Sequence, residues 1–194
     1  MRVLRLARER RSTRSYLGEE VEMGRVLYAL EVARHAPSGS NRQPWRFLVV
    51  TNPQTKARIR EAAEEGERAF YASLPEERRS WYQSKGLSPS KPMLTQAPVL
   101  VVVLGDESAP NYRPSVWVSI GYLILAAQEV GLSTLTYTPS NPRLVAEALG
   151  VPRGFTVEAV IPLGLPRGEA GEADRRPLSE SVFLEEWGRG LGNP

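Results

Sequence analysis

The sequence predicts a single α+β domain whose central sheet is mixed or mostly antiparallel. The chain has 194 residues, of which 41% are hydrophobic and 24% charged, and this suits one large domain with a substantial core. Strand-like and helical segments follow each other without the regular alternation that builds a parallel sheet. The sequence also lacks the Gly-rich phosphate loop of either nucleotide-binding type, so a fold built around such a loop is excluded.

The first core elements predicted are a helix, a turn and a strand. Apolar residues recur at helical spacing in residues 20–35, which predicts an amphipathic helix that stops before Pro37. The turn-forming segment 37–45 follows and leads into a strand at residues 46–51. A polar loop is therefore expected to join a helix to a buried strand.

A long helix comes next, followed by a long connecting segment, residues 72–96, which we call the excursion. A charged helix is predicted to begin at Pro53 and to run to about Tyr71. Residues 72–96 then combine several prolines and a glycine with polar side chains. Because long structured loops in compact domains are usually lids or binding loops, we expect this excursion to act as a lid.

Three further strands are predicted in the second half of the chain. Their apolar runs are bounded by proline, glycine and other turn-forming residues. The first is typical of a central strand that is buried on both faces. The predicted strands span residues 97–104, 132–138 and 155–163.

Two helices separate these strands. Residues 116–130 predict a largely buried helix that ends at Gly131, a common residue type just past a helix C-terminus. A shorter helix is expected between a cap at Asn141 and a stop at Gly150. The tail, residues 166–194, is too weakly periodic to fold alone, so we expect it to lie on another surface such as a partner subunit.

Composition excludes several classes of protein and site. The longest strongly apolar run, Val99–Leu104, is far shorter than the roughly 18–20 residues of a transmembrane helix. The absence of cysteine excludes disulfides, thiolate nucleophiles and cysteine metal sites. His35 is the single histidine, which excludes a multi-histidine metal centre, and no metal site is predicted.

Positive charge is concentrated at the N-terminus. The first 14 residues hold six arginines and one glutamate, a net charge of +5, and since the whole chain carries +3 the remainder is −2. A transit peptide is disfavoured because the residues from Tyr16 are expected to continue straight into a helix. A nucleic-acid-binding arm would need a second basic surface or interleaved aromatic residues. The third interpretation is an anion site, in which four residues converge on one phosphate: Arg10, Arg11, Ser12 and Arg14.

Three motifs, in this order, resemble the FMN-dependent nitroreductase superfamily. They are the RRSTR run that starts at Arg10, the APSGSNRQPW segment that starts at Ala36, and the RRPL segment that starts at Arg175. The resemblance extends over nearly the whole chain. It implies a homodimer of three-layer α-β-α sandwiches with one FMN at each of two sites on the subunit interface, and a tail that wraps the partner subunit.

The resemblance also implies cofactor contacts. The phosphate of FMN would be held by residues from both ends of the chain: Arg10, Arg11 and Ser12 from the N-terminal segment, and Arg175 or Arg176 from the tail. Arg14 would reach the ribityl chain or the pyrimidine edge, and the hydroxyl of Thr138 would lie beside flavin N5, where it favours stepwise electron delivery. A loop of the partner subunit would approach the same flavin through Pro37, Ser38, Gly39, Ser40 and Asn41.

Within the superfamily the sequence is most similar to the iodotyrosine deiodinases, which are reductive dehalogenases of halogenated tyrosines. Residues 56–71 align with the substrate-lid helix of that group without a gap, and Glu67 and Tyr71 share one helix face. With Lys91 they would bind the amino-acid zwitterion, Lys91 taking the carboxylate and Glu67 the ammonium. The backbone N–H of Ser40 would bind the phenolate.

These observations predict an FMN-dependent oxidoreductase that dehalogenates halogenated tyrosine or a similar phenol through reduced FMN. A broad NAD(P)H-dependent nitroaromatic or quinone reductase on the same scaffold is the alternative, and a basic-arm nucleic-acid-binding module is the alternative from another class. Electrons are expected from NAD(P)H or a flavin reductase. We further expect a cytoplasmic protein without a membrane anchor or a nucleic-acid partner.

Overall fold

The computed structural model describes residues 1–168, 171 and 174–190. In this part of the chain the helices are α1 (Arg2–Glu9), α2 (Met23–Arg34), α3 (Pro53–Ser73), α4 (Glu76–Ser84), α5 (Met93–Gln96), α6 (Tyr112–Glu129) and α7 (Pro142–Ala148). The strands are β1 (Trp45–Val50), β2 (Val99–Asp106), β3 (Ser133–Thr134) and β4 (Phe155–Gly164). The predicted α+β class is therefore confirmed.

The four strands form one antiparallel sheet in the order β1-β2-β4-β3. Residues of β2 alternate between the two faces, and both faces are buried. Val99, Val101 and Val103 join the core beneath α2 and α6. The intervening residues join the core beneath α3, α5 and α7: Leu100, Val102 and Leu104. The helices thus form two outer layers around the sheet, as the three-layer prediction requires.

The N-terminal segment adds a parallel contact to this antiparallel sheet. Ser12 forms an isolated parallel bridge with Thr134, beyond the last strand pair. The mixed character expected for the sheet is limited, in the described residues, to this bridge. Its position brings the basic end of the chain to the β3 edge.

Two predicted elements differ from the structure. The chain does not enter a helix directly after Tyr16, because α2 begins only at Met23. The third strand, predicted for residues 132–138, is reduced to Ser133–Thr134 and one further bridge between Tyr137 and Val160. The apolar alternation in this segment reports the burial of Leu135 and Tyr137 in the core and not a continuous hydrogen-bonded ladder.

The long excursion is more regular than the sequence indicated. Residues 72–96 contain the whole of α4 and of α5, and α5 packs against α3. Pro75 precedes the first helical residue of α4, and Gly86 follows its end with a positive φ of 67°. This pairing of an N-terminal proline with a C-terminal glycine is a common helix signature and could have predicted α4.

The tail is described only in part. Residues 169–170, 172–173 and 191–194 lie outside the described residues. Between them a short 3-10 turn forms at Leu178–Glu180, and the side chains of Leu178 and Trp187 are exposed. In the portion that the structure describes, no helix combines the length and the apolar character needed to cross a bilayer.

Candidate functional site

The segment that follows α1 is fixed along the β3 edge of the sheet. The N–H of Thr13 donates to the carbonyl oxygen of Thr134 at 2.9 Å. The buried Tyr16 places its hydroxyl 3.0 Å from the carbonyl oxygen of Thr13 and 3.2 Å from that of Pro162. Burial raises the pKa of Tyr16, so its hydroxyl remains a donor. The predicted phosphate-binding residues 10–14 therefore have a defined place against the sheet.

Arginines from the two ends of the chain meet beside this segment. Burial lowers the pKa of Arg10, and the charges of Arg175 and Arg11 lower it further. The Arg11 guanidinium donates to the carbonyl oxygen of Gly171 at 2.8 Å and so ties the tail to the N-terminus. Four arginines line an open cavity of about 660 Å³ here: Arg8, Arg11, Arg175 and Arg176.

This cationic cluster has the composition of an anion site. Among the described residues, Arg10, Arg11 and Arg175 are absent from the ion pairs, whereas Arg176 lies 3.9 Å from a carboxylate oxygen of Glu180. Neighbouring guanidinium groups repel each other, and a bound anion removes this repulsion. A phosphate can accept bidentate hydrogen bonds from several of them at once. The residues present therefore fit the phosphate of the predicted cofactor.

A second cleft, of about 390 Å³, lies between the sheet edge and the excursion. Arg14 and Thr138 line it from the sheet side, and Lys91 and Met93 line it from the excursion. The side chain of Thr138 is exposed, so its hydroxyl is free to contact a ligand. The cleft thus brings together predicted cofactor and substrate residues that are widely separated in the sequence.

The three residues predicted to bind the amino-acid end of a substrate also lie together. Lys91 Nζ is 3.3 Å from Glu67 Oε2, and both side chains are largely buried. The same Nζ lies 6.0 Å from the ring centroid of Tyr71. Burial raises the pKa of Tyr71, and the Glu67 charge raises it further, so the phenol stays protonated. Their juxtaposition matches the prediction, whereas their contact with a substrate stays a prediction.

The backbone of Lys91 is held by the same helix that carries Glu67. Its N–H donates to Glu64 Oε1 at 2.7 Å, and Arg60 pairs with that oxygen at 2.7 Å. Burial alone would raise the pKa of Glu64, but these two donors outweigh it and the pKa is lowered. A charged carboxylate on α3 therefore ties the excursion to the helix beneath it.

The loop predicted to approach flavin from the partner subunit lies elsewhere. It leads into β1, at the opposite edge of the sheet from β3 and three strand spacings away, about 14 Å. Ser40 and Asn41 have positive φ values of 49° and 53°, and Gln43 has 46°. The N–H of Gly39 donates to Ser115 Oγ on α6 at 3.2 Å, which fixes the loop.

This loop has two further properties of a binding segment. Consecutive non-glycine residues in the left-handed region store backbone strain, which is common at ligand-binding sites. The loop is largely exposed, with Pro37, Gly39, Ser40 and Asn41 open to solvent and Ser38 half-buried. Within one chain it does not join Thr138 or Lys91.

Sequence reasoning missed two residues that complete the cluster around Glu67. The hydroxyls of Tyr137 and Ser140 each lie 2.9 Å from Glu67 Oε1. In the sequence, the only signal for them is that a tyrosine and a serine lie close to Thr138. Their contacts with Glu67 join α3 to the segment before α7, between residues 70 or more positions apart. Long-range side-chain pairs of this kind leave no local periodicity.

Comparisons with known proteins show what the whole chain is similar to. The iodotyrosine deiodinase of Thermotoga neapolitana is 38% identical over 161 residues, which cover 83% of this chain and 87% of that protein. A solved structure of oxidized iodotyrosine deiodinase bound to FMN and 3-iodo-L-tyrosine superposes with a TM-score of 0.86 at 35% identity, and the match covers 94% of this chain and 97% of that one.

A second kind of relative has a different described activity. A protein of Thermus thermophilus described as an NADH dehydrogenase is 30% identical over 193 residues, which cover 91% of this chain and 93% of that protein. The family model described as the nitroreductase family matches residues 7–165. Since this match spans most of the chain and includes its sheet, its core helices and the basic N-terminal segment, the chain belongs to the nitroreductase family.

Proposed function

We propose that the protein is an FMN-dependent oxidoreductase that reductively dehalogenates halogenated tyrosine. The observation that carries this proposal is the buried Glu67–Lys91 pair, 3.3 Å apart, whose Lys91 lines the same cleft as Thr138. An acid and a base held side by side match the two charges of an amino-acid zwitterion. A simple hydrophobic aromatic compound has no charged group that could pair with Glu67 or Lys91.

The cationic cluster accounts for the phosphate end of the cofactor. Arg10, Arg11 and Ser12, with Arg175 and Arg176, are assigned to the phosphate, and Arg14 to the ribityl chain or pyrimidine edge. When bound, FMN supplies the electrons that replace the halogen by hydrogen, a step that consumes two electrons and one proton and releases halide. The exposed hydroxyl of Thr138 is assigned to hydrogen bonding with flavin N5.

The protein is proposed to act as a homodimer. Helix α6 is apolar on nearly all sides, yet Trp117, Val118 and Tyr122 leave one of its faces exposed in a single chain. Leu27 and Tyr28 of the adjoining α2 extend this apolar face. A helix that is hydrophobic all round is normally buried, and a second copy of the chain would cover it.

The dimer also accounts for the separated loop. Pro37, Ser38, Gly39, Ser40 and Asn41 lie at the opposite sheet edge from Thr138, so one flavin can contact both only if the loop comes from a partner subunit. The backbone N–H of Ser40 is assigned to the substrate phenolate. The tail, which carries the exposed Leu178 and Trp187, is assigned to the surface of the partner.

Within the cleft, each substrate group has an assigned partner. Glu67 binds the ammonium and Lys91 binds the carboxylate, so the existing ion pair is exchanged for two pairs with the ligand. Tyr71 stays protonated and can donate its hydroxyl to the carboxylate. The contacts fix the amino-acid end and thereby orient the halogenated ring.

The test is a single-turnover experiment under anaerobic conditions. Reduced holoprotein mixed with 3-iodo-L-tyrosine is expected to reoxidise and to release tyrosine and iodide in equal amounts. Reoxidation by a nitroaromatic or a quinone, with no reaction of the iodotyrosine, would instead establish the alternative NAD(P)H-dependent reductase. The similarity to the Thermus thermophilus NADH dehydrogenase is the observation that favours this second candidate.

A nucleic-acid-binding function is not favoured. Arg10 and Arg11 are half-buried near Arg175, and Arg2 and Arg5 pair with Glu129 and Glu9, respectively, so the basic residues do not form one open face. The electron donor, NAD(P)H or a flavin reductase, and the cytoplasmic location stay predictions.

A further inference from the structure

The two carboxylate oxygens of Glu67 have unequal environments. Oε1 accepts from the Tyr137 hydroxyl at 2.9 Å, the Ser140 hydroxyl at 2.9 Å and the Ser140 N–H at 3.3 Å. Oε2 has Lys91 Nζ at 3.3 Å as its partner. One oxygen is therefore saturated with neutral donors, whereas the other depends on a single cation.

One of the donors to Oε1, Tyr137, is itself held by the sheet. Tyr137 exchanges two backbone hydrogen bonds with Val160 of β4, at 3.1 and 2.8 Å, and its side chain is buried. Burial raises the pKa of Tyr137, and the Glu67 charge adds to the effect, so the hydroxyl keeps the proton that it donates.

A glycine allows α3 to reach these donors. Gly66 precedes Glu67, and a Cβ at that position would lie 2.9 Å from the Cβ of Asn141, the residue after Ser140. Any side chain at position 66 would push α3 away from the turn that carries Ser140. The close approach of helix and turn therefore places Glu67 within reach of both hydroxyls.

We propose that Tyr137 and Ser140 are positioning residues that lock Glu67 Oε1 and leave Oε2 as the one oxygen that exchanges between Lys91 and the ligand ammonium. This inference rests on the proposed function. It assigns a role in amino-acid recognition to two residues outside the assigned phosphate site.

The geometry explains why the exchange is easy. The Lys91–Glu67 distance of 3.3 Å is long for a charge-assisted hydrogen bond, which is usually about 2.7–2.9 Å, so the resting pair is weakly bonded. The donors to Oε1 also keep the buried carboxylate solvated while Lys91 turns to the ligand carboxylate. An unpaired buried charge, which would oppose that movement, is avoided.

The test compares two ligands on the FMN-loaded protein, 3-iodo-L-tyrosine and 2-iodophenol, which has no zwitterion. Quenching of flavin fluorescence gives the Kd for each ligand, and halide release gives KM and kcat. With the iodotyrosine, we expect Tyr137→Phe to raise both Kd and KM about tenfold, because one hydrogen bond to a charged group is lost. Its kcat with the iodotyrosine, and every constant measured with the iodophenol, should stay nearly unchanged.

A second pair of variants separates positioning from folding. Ser140→Ala removes a hydroxyl at an exposed position and should give the same ligand-selective loss, whereas Ser140→Thr retains a hydroxyl and should retain binding. Tyr112→Phe and Ser73→Ala, which remove hydroxyls from other places on the helices, serve as matched controls.

Two outcomes overturn the inference while leaving the proposed function intact. One is an unchanged iodotyrosine Kd in Tyr137→Phe and Ser140→Ala, and the other is an equal weakening of both ligands. If the wild-type holoprotein neither binds nor dehalogenates the iodotyrosine, the proposed function fails and the inference fails with it.

Discussion

The two halves of the proposed site are built in different ways. The half around Glu67 is complete in one chain, since its buried ion pair, its hydroxyl donors and its anchored backbone come from α3, the excursion and the segment before α7. The half around Ser40 is incomplete in one chain. It consists of a strained, exposed loop, and the chain also leaves an apolar face of α6 exposed. We therefore propose that the charges of the substrate are recognised within one subunit, whereas the assembled flavin site requires two.

The largest effect on assembly and flavin content is expected from a charge placed on the exposed face of α6, in the half around Ser40. Val118→Glu puts a carboxylate on the exposed face of α6, where it costs little in a single chain but several kcal/mol once a partner buries it. We expect a monomer in sedimentation experiments and a loss of most bound flavin. Ala57→Glu, an equal charge on an exposed position of α3, is the control and should leave a flavin-bound dimer.

If Val118→Glu remained dimeric with full flavin content, the α6 face would not be the subunit interface. The contrast between the two halves would then lose its basis.

The next largest effect is expected in the half around Glu67. Lys91→Ala removes the cation assigned to the ligand carboxylate, so the affinity for 3-iodo-L-tyrosine should fall by about 3 kcal/mol, or roughly a hundredfold. Nitroaromatic reduction, which needs no zwitterion, should be nearly intact. Titration of ligand into the holoprotein, with the exposed Lys85→Ala as control, measures the difference, and an equal loss of both activities would contradict the assignment.

A smaller effect is expected where the two ends of the chain meet. Arg175→Ala removes one guanidinium from the cationic cluster around the half-buried Arg10, and FMN should bind about tenfold more weakly. Riboflavin, which has no phosphate, should bind equally well to the variant and the wild type. Arg189→Ala provides an arginine of the same tail outside the cluster, and a parallel loss of riboflavin binding would exclude a phosphate-specific role.

The smallest effect concerns the helix that supports the complete half. Lys56 of α3 is buried and donates to the carbonyl oxygens of Ala97 and Pro98 at 2.7 and 3.3 Å. Burial lowers its pKa below the ordinary value of 10.5, so the folded protein binds fewer protons than the unfolded chain between the two values. The free energy of unfolding should therefore rise slightly with pH up to about 10.5, relative to Lys56→Met.

Denaturant unfolding over that pH range measures this difference. A free energy of unfolding that falls with pH in the wild type relative to the variant would contradict the sign derived from burial.

Much of the scaffold could be predicted from local patterns. The apolar run that forms β2 and the helical periodicity of α2 and α6 report how each segment is buried, and burial pattern determines the element type. The short extent of β3 could not be predicted. Leu135 and Tyr137 alternate as strand residues do, but their burial in the core occurs without a continuous ladder.

In the candidate site, too, some features could be predicted from the sequence and others could not. The basic residues near Arg10, the loop at Ser40 and the spacing of Glu67 and Tyr71 are visible in the sequence, since each is a short contiguous motif. The saturation of one oxygen of Glu67 by Tyr137 and Ser140 is not visible there. It depends on α3 and the turn before α7 approaching within hydrogen-bond distance.

The sequence by itself determined most of the element types, the family and the residues that carry charge, because periodicity and motifs are properties of neighbouring positions. Only the tertiary structure decided which charges meet, which oxygen of Glu67 is free to exchange, and which loop lies too far from the cleft to serve it within one chain. These depend on distances of a few ångströms between segments remote in sequence, which packing of the whole core determines.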